Sequence, residues 1–69
     1  MKRQEQKRQT REKIRETAKI LFSSQGFEAT TSRQIAKESG VATGTLFVHF
    51  KGKNEILADI LYEDIEIKS

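Results

Sequence analysis

Thr31-Ser32-Arg33-Gln34-Ile35-Ala36-Lys37-Glu38-Ser39-Gly40-Val41-Ala42-Thr43-Gly44-Thr45-Leu46-Phe47-Val48-His49-Phe50 is the segment on which the architecture turns. Thr31 to Gln34 have capping-box spacing: the Thr31 hydroxyl can accept from the Gln34 amide while the Gln34 side chain reaches back. This predicts a helix over 32–39. Gly40 suits the left-handed position just past its end, which would lay Val41 over Ala36. A second helix is expected over 43–49, with Leu46 and Phe50 turned inward at i, i+4. Two turns cannot persist alone, so it must be held by neighbours. Two helices joined through Ser39-Gly40-Val41, with the small Ala36 four positions before the glycine, form a helix-turn-helix pattern.

Upstream, Ile14, Ala18, Leu21, Phe22 and Gln25 recur on one helical face. They predict a first helix over about 9–25, with Thr10 as a possible N-cap. Gly26 would end it in a Schellman turn that brings Phe27 onto Phe22. Downstream, a fourth helix is expected over 53–67 behind Gly52, with Glu55 in its first turn and Ile56, Leu57, Ile60 and Leu61 as its stripe. Ile65 and Ile67 lie beyond that stripe. They are either a place where a further domain packs or a frayed end. The expected class is all-α: a small helix-turn-helix bundle of three helices plus the start of a fourth, connecting helix.

The composition narrows the function. The chain has 69 residues, no Cys and a single His, so disulfide frameworks and zinc sets are excluded. A core of this size leaves no room for an enclosed ligand cavity. The longest apolar runs, such as Ile20-Leu21-Phe22, are too short for a membrane span, and a cytoplasmic module is expected. No paired carboxylates suggest a catalytic pocket, so no catalytic residue, cofactor or metal is assigned and an enzyme is not expected.

The net charge of +3 hides a gradient. Residues 1–19 hold eight basic residues against three acidic ones, whereas 54–69 hold one against five. A positive front suits a polyanion, either nucleic acid or an acidic membrane surface. A solvated basic arm fits the charge equally well.

The helix-turn-helix favours nucleic acid. A helix propped across its predecessor can enter the major groove, about 12 Å wide, with its leading residues at the base edges. Here those are Thr43, Gly44 and Thr45. The Thr side chains offer a hydroxyl to bases and a methyl to thymine. Gly44, which costs about 1 kcal/mol relative to Ala within a helix, would let the backbone approach closely. Val48 is either an apolar contact to thymine methyls or a packing residue. The competing readings are a basic amphipathic helix on a membrane surface and a protein-interaction module using Ile65 and Ile67.

The run from Thr30 to Leu57, Thr30-Thr31-Ser32-Arg33-Gln34-Ile35-Ala36-Lys37-Glu38-Ser39-Gly40-Val41-Ala42-Thr43-Gly44-Thr45-Leu46-Phe47-Val48-His49-Phe50-Lys51-Gly52-Lys53-Asn54-Glu55-Ile56-Leu57, resembles the signature of the tetracycline-repressor (TetR) family of bacterial transcriptional regulators. The resemblance implies a basic arm over 1–8 and a DNA-binding domain over 9–69. It implies that Ser32 and Arg33 meet the DNA backbone and sometimes a base, and that Thr43, Gly44, Thr45 and Val48 read the groove. Phe47, His49 and Lys53 match positions near phosphates. For Lys53 the position at a helix N-terminus adds its own attraction for anions; His49 is as readily a packed residue.

Two residues depart from the usual pattern. Phe47 stands where Tyr is commoner and offers no hydroxyl to a phosphate. Ala42 replaces a Ser-like N-cap, a change worth about 1 kcal/mol, with Thr43 as an alternative cap. Relatives are implied to be homodimeric repressors on a pseudo-palindromic double-stranded operator. A small molecule bound in a larger C-terminal domain, which has no counterpart in these residues, is implied to release them. Helix 4 would link the two functions.

Overall fold

The computed structural model describes the backbone of residues 2–68 and the side chains of residues 9–62. Among them are four helices and no strand: α1 (Lys2–Gln25), α2 (Ser32–Ser39), α3 (Thr43–His49) and α4 (Lys53–Lys68). α1 packs against each of the other three, and α2 packs against α3. Ile14 and Ala18 of α1, Ile35 and Ala36 of α2, Leu46 and Phe50 at α3, and Ile56 of α4 form the core, each at most 2% exposed. Leu21, Phe22, Val41 and Ile60 close its edge.

α1 begins seven residues before the expected start, so the backbone of residues 2–8 continues the helix and is not a separate arm. The segment explains this: Lys, Arg, Gln and Glu are good helix formers, and nothing before Gly26 breaks the run. Thr10 consequently sits inside the helix and does not cap it. Gly26 has φ +92°, and its N–H donates to the Phe22 carbonyl at 3.1 Å. That is the single-bond left-handed ending, where a Schellman turn was expected, yet the Phe22 and Phe27 rings still meet at 5.1 Å.

The full Schellman turn closes α2. Gly40, at φ +78°, donates to Lys37, and Val41 donates to Ala36. At the other end Thr31 Oγ1 accepts from the Gln34 N–H at 3.0 Å, which is half of the expected box. The Gln34 side chain does not reach back. It pairs with Gln25, whose Nε2 lies 2.7 Å from Gln34 Oε1 and also reaches the Ala29 carbonyl and Thr30 Oγ1. Gln25 is thus an exposed brace from α1 to the start of α2, not a member of the buried stripe.

The stripe of α4 is likewise displaced. Ile56 is fully buried, but Leu61 is 54% exposed, and Asp59 occupies the face that continues from Ile56 to Ile60. Residues 57 and 61 lie about 100° around the helix from 56 and 60, away from the side on which Asp59 meets the arginines of α1. Ile65 and Ile67 lie outside the residues whose side chains are described.

The two buried hydroxyls among the described residues are satisfied locally: Thr30 Oγ1 donates to the Gly26 carbonyl and Ser39 Oγ to the Ile35 carbonyl. A Cβ at position 40 would meet no atom within 4 Å, so the cost of a side chain there is purely conformational. Gly40→Ala should destabilise the chain by about 1 kcal/mol, and thermal melting should fall by about 4–8 °C. An unchanged melting temperature would show that the left-handed turn does not limit stability.

Candidate nucleic-acid interface

α3 has two sides of opposite character. Leu46 and Phe50 point into the core at 0% and 2% exposure, while Val48 is 74% and Phe47 48% exposed. Gly44 and Thr45 are also exposed; Thr43 and His49 are half-buried. Residues 44, 45 and 48 share a helical face, so the small and β-branched side chains form one free edge on a firmly anchored rod. Val48 is therefore not a core residue, which resolves one of the two readings its sequence position allowed.

The ends of α3 are held by different means. Ala42 provides no side-chain cap, and Thr43 is the first helical residue, so it does not substitute. The Ala42 carbonyl accepts from Leu46 at 3.1 Å, and Phe50 closes the last turn by donating to Leu46 at 2.9 Å. A Cβ on Gly44 would meet nothing within 4 Å. No packing inside the chain demands glycine there.

At the start of α2, Ser32 is half-buried and Arg33 exposed, and no acidic residue stands in that first turn. Lys53, in the first turn of α4, is committed inside the chain. Its Nζ donates to the Phe27 carbonyl at 2.6 Å, lies 3.5 Å from that of Glu28 and sits 4.2 Å over the Phe27 ring. Local sequence signals a cation at a helix N-terminus but not this brace, whose partners are 25 and 26 positions away. An ammonium has three donors, and the Phe27 and Glu28 carbonyls take two of them.

His49 lines a shallow groove of about 350 Å³ with Arg11, Phe50, Glu55, Ala58, Asp59 and Tyr62. The Glu55 carboxylate, in the same groove, accepts from the Lys51 N–H at 3.1 Å, fixing the short link into α4. Among the described residues no group of His, Cys, Asp or Glu could hold a metal ion. No described helix is long and apolar enough to cross a membrane.

The family described as bacterial regulatory proteins, tetR family, matches residues 14–60. HTH-type transcriptional regulators of Staphylococcus aureus strains USA300 and N315 are each 37% identical to this chain over 60 residues. The matched segment is 87% of this chain but 32% of either relative, so the chain spans about a third of their length.

The open ground around Gly44 and the uncapped Ala42 set up a test of α3 alone. Gly44→Ala should stabilise the free chain by up to about 1 kcal/mol, and Ala42→Ser by about 0.5–1 kcal/mol. Urea denaturation measures both; a loss of stability in Gly44→Ala would mean that the fold itself requires glycine.

Proposed function

The chain belongs to the tetR family of bacterial regulatory proteins, and from that premise we propose that it is the DNA-reading head of a transcriptional regulator. The observation that carries the reading is the two-sidedness of α3, in which Leu46 and Phe50 anchor the rod and Gly44, Thr45 and Val48 are left free. A major groove accepts such a rod edge-first. Thr43 and Thr45 then offer hydroxyls to base edges, Val48 meets thymine methyls, and the bare Gly44 lets the backbone come close.

Phosphates are held from both flanks, by Ser32 and Arg33 at the start of α2 and by His49 and Lys53 at and beyond the end of α3, with Phe47 beside them as an apolar contact. Lys53 does this with the donor that the Phe27 and Glu28 carbonyls leave over. Phosphate contacts set register, and base contacts set sequence preference.

The parent protein would be a homodimer on a pseudo-palindromic operator, because two such heads read two half-sites at a fixed spacing. It would act in the cytoplasm as a repressor, released by a small molecule bound in a domain downstream of these residues. α4 would link the heads to that domain and set the distance between them.

Single heads bind weakly, so the chain alone should bind duplex DNA in about the 10⁻⁴–10⁻⁶ M range with steep salt dependence. Arg33→Ala or Lys53→Ala should weaken all duplexes alike and reduce the salt slope by about 1. Thr45→Ala should change base preference, at about 1–3 kcal/mol for the affected position. Fluorescence anisotropy across a salt series checks all three. Nanomolar, salt-insensitive binding, or equal effects from Lys53 and Thr45, would overturn the assignment of roles.

A further inference from the structure

Asp59 has no place in the interface just described, yet its carboxylate takes a guanidinium at each oxygen. Arg11 Nη2 donates to its Oδ1 at 2.9 Å and Arg15 Nη1 to its Oδ2 at 3.2 Å. The two arginines stand one helical turn apart on α1, so one carboxylate on α4 takes a guanidinium at each oxygen. The Asp59 side chain is 26% exposed and that of Arg15 only 11%, which sets this cluster apart from a solvated surface pair. Arg11 also lies 4.6 Å over the Phe50 ring. Phe50 is the residue whose N–H closes α3. The guanidinium of Arg11 is thus a node where α1, the end of α3 and α4 meet.

We infer that Arg11 and Asp59 are positioning residues for the reading helix: they fix the end of α3, and hence the angle of its free edge, through Phe50. The inference rests on the DNA-reading role of α3. α3 carries no side-chain cap at its start, so its pose depends on burial of Leu46 and Phe50 and on what bears on Phe50 from outside. Arg11 bears on the Phe50 ring by cation–π attraction, and Asp59 holds Arg11 in place. The coupling runs in both directions, since a shift of α4 carries Asp59 and therefore Arg11 against Phe50.

Asp59→Asn separates this role from simple electrostatics, because the two make opposite forecasts. Removing a negative charge raises the net charge from +3 to +4, so electrostatics alone tightens binding to every duplex. Positioning predicts lost discrimination instead. The probes are duplexes enriched from a random pool by the unmodified chain and shuffled versions of the same duplexes. The affinity ratio between them should fall about tenfold in Asp59→Asn and in Arg11→Gln.

The double variant should be no worse than either single one, because both break the same clasp. In the free chain, amide exchange at Leu46 and Phe50 should speed up in both variants while that at Ile35 and Ala36 holds. Tighter binding in Asp59→Asn with the ratio and the exchange unchanged would overturn the proposal. So would a uniform loss across duplexes in Arg11→Gln with unchanged exchange, which would make Arg11 an ordinary surface cation. If Asp59→Asn fails to fold, Arg11→Gln carries both readouts, since that side chain is 42% exposed. If the unmodified chain enriches no duplex, the DNA-reading role fails, and the exchange rates alone decide whether the clasp fixes α3.

Discussion

Everything here depends on keeping a seven-residue helix in place. Two turns of helix do not repay the cost of their own nucleation, so α3 exists because Leu46 and Phe50 are removed from water against α1 and α2. Deleting a buried side chain such as Leu46 removes about 2–5 kcal/mol, a large share of what a domain this small has in total. The same burial that stabilises the rod leaves its other side bare. Anchoring and presentation are therefore one physical event, and the neighbouring elements exist to orient it.

Three kinds of contact do that orienting. Apolar packing places α1 behind α2, α3 and α4. The Schellman corner at Gly40 sets the direction in which the chain enters α3. Long polar braces then tie the ends: Lys53 to the loop before α2, Gln25 to Gln34, and the two arginines to Asp59. Charged residues in this chain do mechanical work beyond solubility.

The parts of the fold written in local chemistry were legible from the sequence. Thr31 with Gln34, Gly40 with Val41, and the i, i+4 pair of Leu46 and Phe50 each involve neighbours within a few positions, and their geometry follows from spacing alone. What stayed hidden depends on residues far apart in the chain. Arg11 and Asp59 are 48 positions apart, Arg15 and Asp59 are 44, and Lys53 and Phe27 are 26. Periodicity placed Leu61 on the stripe because it counts apolar residues and cannot see that α1 covers the side of α4 that carries Ile56, Asp59 and Ile60. The exposed edge of α3 was legible as a list of residues, whereas which side of Val48 faced water was not.

The seam between α1 and α2 is joined by two neutral amides, Gln25 and Gln34. Amides neither titrate nor attract counterions, so this joint is indifferent to acidity and to ionic strength over the range where proteins meet nucleic acid. The Gln25–Gln34 joint thus keeps its strength while the ionic atmosphere around it changes. Any electrolyte sensitivity recorded at that shoulder belongs to what it grips or to the Lys53 brace beside it, because the amide pair has nothing to screen.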